Sequence, residues 1–311
     1  MMKNVKLLLM VAFVFLFVAA SVIMQRTAEG QTKAKAAGAE LCKDCHEAQY
    51  NSYLKSKHSK KGFAGGPANK EACNACHLQG AAHLAAGGGA GAGGMVSLGS
   101  KKVSVETKNA ACLSCHASSR NLTFWDMGAH KKNDVACISC HNTHGKKVSQ
   151  TENCTSCHKD VKKEINRASR HPILEGKVKC SDCHNPHGTL SHGMIKAENA
   201  NQLCYTCHAD KRGPYVWEHP PVEENCLICH GVHGTRAAKL MKEKTPNVCQ
   251  DCHDWSRHPG TIYDAKTGFT GRSPSNRFYG RNCLNCHSTI HGGNAPVNPA
   301  NGYNSGKAFV R

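Results

Sequence analysis

One short pattern of chemically active residues recurs through the sequence, and Cys180 to Gly188 shows it in full. Two cysteines separated by two residues are followed at once by His184, and a second histidine, His187, stands three residues further on. Two such cysteines can form thioether bonds to the vinyl groups of a haem while the adjacent histidine binds the iron, so CxxCH is the attachment signature of c-type haem. Because three residues span at most about 10 Å, we expect His187 to bind the iron of a different haem.

This signature accounts for every cysteine of the chain. The sequence has 20 cysteines, and they form ten CxxCH motifs with none left over. The predicted haem-attaching cysteines are Cys42, Cys45, Cys73, Cys76, Cys112, Cys115, Cys137, Cys140, Cys154, Cys157, Cys180, Cys183, Cys204, Cys207, Cys226, Cys229, Cys249, Cys252, Cys283 and Cys286. The predicted proximal ligands of the irons are the motif histidines His46, His77, His116, His141, His158, His184, His208, His230, His253 and His287.

The histidines outside the motifs follow a regular order. Each odd-numbered motif is followed by one free histidine, then by the next motif, then by a second free histidine. A single free histidine is usually an ordinary surface residue, but recurrence at repeated offsets favours ligands. The predicted distal ligands are His58, His83, His130, His144, His171, His187, His219, His233, His258 and His291. His192 is left over, because His187 has the spacing found in the neighbouring copies.

This order divides residues 37–311 into five two-haem units, which we call repeats one to five. They cover about residues 42–83, 112–144, 154–187, 204–233 and 249–291. The predicted cofactor is ten covalently attached haem c groups, each with two histidine ligands. Such irons have no open coordination position, so we expect one-electron transfer and no enzymatic activity.

The elements that must position these residues are predicted to be sparse. About 31 residues serve each motif, and aromatic residues make up only 6% of the chain. We therefore expect a multihaem cytochrome c fold: elongated, with little regular secondary structure, its short helices and loops wrapped round a chain of haems that supplies most of the buried apolar surface. Residues with high helix propensity, together with Val161 and Ile165 at a spacing of four, predict one helix over Lys159–Ser169. The glycine- and alanine-rich Gly87–Gly94 is predicted to be a mobile loop.

The N-terminus and the charge indicate where the protein works. Two lysines precede an apolar run over Leu7–Met24, so residues 1–36 are predicted to be an export signal, with an uncleaved membrane anchor as the alternative. The formal net charge of +18 is spread along the chain, and haem propionates would offset it. No nucleic-acid partner is therefore predicted.

Two other site chemistries compete with this interpretation. Zinc sites or redox disulfides would use CxxC pairs, but they leave the histidine after every second cysteine unexplained. A multihaem reductase with one open haem is the stronger alternative. Nitrite reductases of that class mark the catalytic haem with lysine in place of the motif histidine, and the sequence contains no CxxCK.

The chain resembles the periplasmic decahaem c-type cytochromes typified by MtrA and DmsE. The resemblance covers the region after the export signal. It is sharpest at Cys180 to Gly188, at Lys211-Arg212-Gly213-Pro214 leading into Trp217-Glu218-His219, and at Asn282-Cys283-Leu284-Asn285-Cys286-His287 with His291-Gly292.

That resemblance implies a conduit in the periplasm, associated with the outer membrane. In the MtrA branch the chain of haems lies inside an outer-membrane β-barrel porin. It carries electrons between periplasmic or inner-membrane cytochrome donors and an outer-surface multihaem cytochrome or a metal oxide. In the DmsE branch the terminal acceptor is an extracellular reductase. A soluble periplasmic electron shuttle would need the same haem set, so the residues alone leave conduit and shuttle open.

Overall fold

The structure is a computed structural model of the 311-residue chain. It describes residues 21, 39–144, 147–253, 283–285 and 287–294. The chain divides into two compact units, Met1–Val148 and Ser149–Arg311. The boundary falls between repeats two and three and cuts neither of them. Apart from residue 21, the predicted signal over residues 1–36 lies outside the described residues, as do Cys286 and His258.

Short helices and loops make up the described residues. The α-helices, numbered here, are Glu40–Lys43 (α1), Glu47–Leu54 (α2), Asn74–His77 (α3), Gly80–Ala85 (α4), Val105–His116 (α5), Ala129–Lys132 (α6), Gln150–Thr155 (α7), Lys159–Glu164 (α8), Cys180–Cys183 (α9), Ala200–Tyr205 (α10), Pro220–Glu224 (α11) and Asn247–Gln250 (α12). Single 3-10 turns are Lys57–Ser59, Pro67–Asn69, Ala92–Gly94, Arg120–Leu122, Trp125–Met127, Cys137–Ser139, His192–Met194, Ala209–Lys211, Cys226–Ile228, Ala238–Leu240 and Cys283–Asn285.

Extended structure in these ranges is limited to isolated β-bridges, with no strand. Within the same ranges, no helix has both the length and the apolar character needed to cross a membrane. The fold class predicted from the sequence, short helices and loops of a multihaem cytochrome c, is confirmed.

Three helices that carry odd-numbered motifs begin at side chains that cap the backbone. Ser104 caps α5 and Asn199 caps α10, each accepting a hydrogen bond from the N–H group three residues on, at 3.2 and 2.9 Å. Ser149 and Glu152 form a reciprocal capping box at the start of α7. Because a helix start leaves N–H groups without partners, these side chains fix where the turn that leads into each motif begins.

Few apolar side chains are buried, as expected for so short a chain per haem. The buried hydrophobic residues among those described are Tyr50, Tyr53, Ala72, Trp125, Ala136, Ile165, Ile173, Ala237 and Val248. Large apolar side chains remain exposed, and Leu190 and Val216 each show 71% of their surface. This protein core is too small to hold the chain together without a further apolar component.

Two local predictions are modified by long-range contacts. The helix predicted over Lys159–Ser169 ends early, at Glu164, because Ser169 pairs with Thr235 through two backbone hydrogen bonds of 3.2 and 2.8 Å. The stretch predicted to be a mobile loop contains the turn Ala92–Gly94, which packs against α4. Both segments support histidines of the candidate sites.

Candidate haem sites

The CxxCH motifs form single helical turns in the part of the chain that the structure describes. In nine motifs the backbone N–H of the histidine donates to the carbonyl oxygen of the first cysteine at 2.8–3.1 Å, and the third motif is the last part of α5. Residues three and four positions apart lie on the same face of a helix. The turn therefore brings both sulfur atoms and the imidazole to one side of the backbone, as attachment to a single porphyrin requires.

A loop that folds back after the motif orients several of the even-numbered motif histidines. Nδ1 of His184 lies 2.8 Å from the carbonyl oxygen of Gly193, and Nδ1 of His230 lies 3.0 Å from that of Lys239. The offset of nine residues is the same in both repeats. A proton held on Nδ1 for this hydrogen bond leaves Nε2 as the nitrogen that binds metal.

Seven motif histidines face one of the predicted distal histidines. The ring centroids of each pair are 6.0–6.3 Å apart. The pairs are His46–His83, His58–His116 and His77–His144 in the first compact unit, and His171–His208, His184–His233, His219–His253 and His230–His291 in the second.

This separation fits two imidazoles on opposite faces of one iron. A histidine nitrogen binds a transition metal such as zinc at about 2.0 Å. The ring centroid lies about 1.1 Å behind that nitrogen, so two ligands of one metal should stand about 6 Å apart from centroid to centroid. The observed separations of 6.0–6.3 Å match this expected distance.

In most pairs, a free histidine of one repeat faces a motif histidine of an adjacent repeat. The first free histidine of a repeat faces the first motif of the next repeat, as His58 faces His116 and His171 faces His208. The second free histidine faces the second motif of the preceding repeat, as His233 faces His184. His83 departs from the rule, because it faces His46 within repeat one.

Burial keeps several distal histidines in the form that binds metal. Desolvation lowers the pKa of His58, His144, His219 and His291, and a neighbouring histidine lowers each pKa further. A lowered pKa favours neutral imidazole, which has a lone pair to donate. The four side chains are thus prepared to act as ligands at neutral pH.

The sulfur atoms show that consecutive motifs are spatial neighbours. Burial, together with the adjacent thiols of Cys137, Cys226 and Cys283 respectively, raises the pKa of the Cys112, Cys204 and Cys249 thiols to about 11. Each of these contacts joins the first cysteines of the two motifs within one repeat. Such crowding suits uncharged sulfur, as in a thioether, better than the thiolates that zinc needs.

The second cysteines join one repeat to the next in the same way. Cys76 interacts with Cys115 in the first compact unit. In the second compact unit, Cys183 interacts with Cys207 and Cys229 with Cys252. The order of the motifs in space therefore follows their order in the sequence, within the part of each compact unit joined by these contacts.

Two asparagines that sequence reasoning missed hold the motifs of a repeat together. Asn109 and Asn201 are buried, and each stands three residues before the first cysteine of an odd motif. Their side-chain oxygens accept hydrogen bonds from the backbone N–H of Cys137 (2.9 Å) and Cys226 (2.7 Å), the first cysteines of the following motifs. The repeated asparagine at this position was the available signal.

The other described ligand histidines also make contacts within the fold. They are His130, His141, His158, His187 and His287. The histidine left over by the sequence pattern, His192, is exposed at the start of a 3-10 turn. It supplies backbone to the loop that orients His184.

The competing zinc and disulfide chemistries find no support in the described residues. Nineteen cysteines described by the structure are free thiols. In the same part of the chain, no three His, Cys, Asp or Glu side chains converge where they could hold a metal ion. A structural zinc site needs four such ligands, whereas a haem iron needs two because the porphyrin supplies the rest.

The glycine-rich turn offers a direct test of how His83 is held. The Ala92 carbonyl oxygen lies 3.1 Å from Nδ1 of His83, and a Cβ added at Gly93 would lie 2.3 Å from the carbonyl carbon of Ala82. Gly93 has a φ of +63°. We expect Gly93→Ala to separate the turn from α4, to destabilise the haem-loaded protein by on the order of 3 kcal/mol, and to make one iron partly high-spin.

Thermal unfolding and the visible absorption spectrum of the Gly93→Ala variant measure both effects. The matched control is Gly91→Ala, because Gly91 also has a positive φ (+77°) but a Cβ there meets no atom within 4 Å. That control should cost about 1–2 kcal/mol and leave the spectrum unchanged. Equal losses in the two variants would contradict the proposed contact.

The chain matches one protein family and is similar to two known cytochrome proteins. Residues 171–213 and 219–258 match the family described as the doubled CXXCH motif. The chain is 37% identical over 282 residues to the multiheme cytochrome MtrA of Shewanella baltica (strain OS185), a match that covers 88% of this chain and 83% of that protein. It is 28% identical over 111 residues to the cytochrome c nitrite reductase subunit NrfH of Nitratidesulfovibrio vulgaris, over 34% of this chain and 65% of that protein.

Proposed function

Since the chain belongs to the family of multihaem cytochromes that includes MtrA, we propose that it is a decahaem electron carrier in which two histidines bind every iron. Membership of that family makes it an electron-transfer cytochrome with covalently attached haem c. The observation that carries the more specific proposal is the set of seven histidine pairs with ring centroids 6.0–6.3 Å apart.

The chemistry assigned to the site is one-electron transfer. Haem c supplies an iron that accepts and releases a single electron. The chain contributes two sulfur attachments, an imidazole from the same motif and an imidazole from elsewhere. Two protein imidazoles on each iron would leave a substrate no place to bind, so the proposed activity is transport of electrons and not catalysis.

The polypeptide also sets the path of the electrons. The first cysteines lie together within a repeat, and the second cysteines lie together between repeats, as Cys112 with Cys137 and Cys183 with Cys207 show. Within each compact unit, the motifs joined by these contacts are thereby held side by side. We propose that electrons pass between consecutive motifs in the order in which they occur in the sequence.

We further propose that the protein works in the periplasm, associated with the outer membrane, as a conduit to or from extracellular partners. The proposed partners are an outer-membrane β-barrel porin, an outer-surface multihaem cytochrome or reductase, and periplasmic or inner-membrane cytochrome donors. An N-terminal pattern typical of export and the identity to MtrA over 88% of the chain support this role. A chain of ten haems is also long enough for a membrane of about 40 Å.

Reconstitution distinguishes the conduit from a soluble shuttle. The protein would be expressed with a candidate outer-membrane β-barrel, purified, and inserted into liposomes that contain an electron acceptor. Co-purification and reduction of the enclosed acceptor by an external donor are expected, and liposomes with the barrel alone are the control. Failure to co-purify, together with no transfer across the membrane, would favour the shuttle.

A further inference from the structure

The distal histidine His233 makes a different hydrogen bond from five other ligand histidines. Nδ1 of His233 lies 3.2 Å from the carboxylate oxygen Oε2 of Glu164, at the C-terminal end of α8. In five other ligand histidines the corresponding contact is a backbone carbonyl oxygen at 2.8–3.1 Å. These five are His77, His83, His171, His184 and His230.

Hydrogen bonds between the two neighbouring segments hold the Glu164 carboxylate close to His233. Ser169 and Thr235 exchange two backbone hydrogen bonds of 3.2 and 2.8 Å, and a guanidinium nitrogen of Arg167 donates to the carbonyl oxygen of Gly234 at 3.0 Å. These bonds tie the segment after α8 to the segment that contains His233. Because both segments are short, Glu164 can move little relative to His233.

The approach of the two segments is close enough to exclude a side chain between them. A Cβ added at Gly234 would lie 2.2 Å from the carbonyl oxygen of Glu164. Glycine at this position therefore permits the contact between the backbone of His233-Gly234 and the end of α8. The side chains of His233 and Glu164 are each about one third exposed, at 34% and 35%.

We infer that Glu164 is a positioning residue that lowers the reduction potential of the iron ligated by His184 and His233, and this inference rests on the ligation proposed above. An anionic acceptor draws the Nδ1 proton more strongly than a neutral carbonyl does. The imidazole then becomes a stronger donor at Nε2. A stronger donor stabilises ferric over ferrous iron, and hydrogen bonding around the ligands is one of the protein's means of setting haem potentials.

The carboxylate contact distinguishes this site from the neighbouring sites whose hydrogen bonds are described. The facing ligand of the same iron, His184, has a carbonyl partner, and so do His171 and His230 at neighbouring sites. The haem at the sixth motif, Cys180 to His184, should therefore have a lower reduction potential than haems in similar surroundings whose ligand histidines are hydrogen-bonded to backbone carbonyl groups. Glu164 gives the electron path a low-potential step at a defined motif.

Glu164→Gln tests the inference, because glutamine keeps the shape and an acceptor oxygen but removes the charge. The haem-loaded variant and the wild type would be titrated electrochemically while the visible spectrum is recorded. We expect about one tenth of the absorbance change to move to higher potential, by about tenfold in the reduction equilibrium, or 59 mV for one electron. The matched control, Asp160→Asn, removes the same charge from an exposed side chain in the first turn of α8 and should leave the titration unchanged.

A variant that restores the carboxylate separates charge from packing. Glu164→Asp should titrate closer to the wild type than Glu164→Gln does. Superimposable titrations of Glu164→Gln and the wild type, or equal shifts in Glu164→Gln and Glu164→Asp, would overturn the inference.

Electron paramagnetic resonance keeps this test distinct from the test of ligation. The irons of the oxidised wild type should all be low-spin, and those of Glu164→Gln should remain so. A high-spin iron in the wild type would contradict the proposed ligation itself. A low-spin spectrum with an unchanged titration would contradict only the role of Glu164.

Discussion

Replacing His171 by alanine is expected to leave ten covalent haems in place and to make one of them high-spin. The imidazole of His171 faces that of His208 at 6.3 Å between ring centroids. Its Nδ1 is held by the carbonyl oxygen of Val232 at 2.9 Å. Alanine removes the second ligand without touching a thioether, so attachment at Cys204 and Cys207 should survive while one axial position opens.

The visible spectrum and carbon monoxide binding measure that change. About a tenth of the haem should acquire high-spin character and bind carbon monoxide rapidly once reduced, and added imidazole should reverse both effects. His192→Ala is the matched control, since His192 is exposed and supplies only backbone to its loop. A low-spin spectrum in His171→Ala, or a high-spin fraction in His192→Ala, would contradict the assignment of ligands.

Preventing haem attachment is expected to abolish the folded state altogether. The buried hydrophobic side chains of the described residues are few, and none of the large ones is completely enclosed. Ordering the backbone costs about 1–2 kcal/mol for each residue, which so small a core cannot offset. Stability must therefore come mainly from contacts between the polypeptide and the haems.

Expression without the c-type haem attachment machinery provides the apoprotein for this test. We expect a circular dichroism spectrum of an unfolded chain, no cooperative thermal transition, and rapid proteolysis under conditions in which the haem-loaded protein is resistant. The chain with all motifs intact and haem attached is the control. A cooperative transition in the apoprotein would show that the polypeptide has a sufficient core of its own.

The attachment motifs were predictable because their geometry is local. A CxxCH segment needs only one helical turn to bring two sulfur atoms and an imidazole together, and the hydrogen bond from His184 to Cys180 closes that turn at 2.9 Å. The positions of the free histidines were predictable for a related reason, since a repeated chain must repeat its ligands. His58 and His233 each follow a motif histidine, by 12 and 3 residues, and lie opposite motif histidines of other repeats.

The partner of each histidine was not predictable, because contacts between distant parts of the chain select it. His233 faces His184 only because the segment around Thr235 pairs with Ser169. The same contact ends the helix predicted to reach Ser169 five residues early, at Glu164. Helix propensity describes neighbours in sequence and contains no information on such a pairing.

Supporting polar residues were missed because their signal is weak. An asparagine before a cysteine motif resembles an ordinary cap or loop residue. Its role depends on the N–H group of a cysteine 25 or 28 residues away, as for Asn201 and Asn109. Similarly, nothing in the sequence around Glu164 distinguishes its carboxylate from the many solvated ones. Only the fold places it against His233.

Carbon monoxide binding to the fully reduced wild type tests most directly the claim that two histidines ligate every iron. The predicted result is a low-spin spectrum that carbon monoxide does not alter on the time scale of mixing, in a protein whose haem content corresponds to ten groups per chain. Rapid binding at even one haem would reveal an open axial position. It would contradict the account and favour a multihaem reductase.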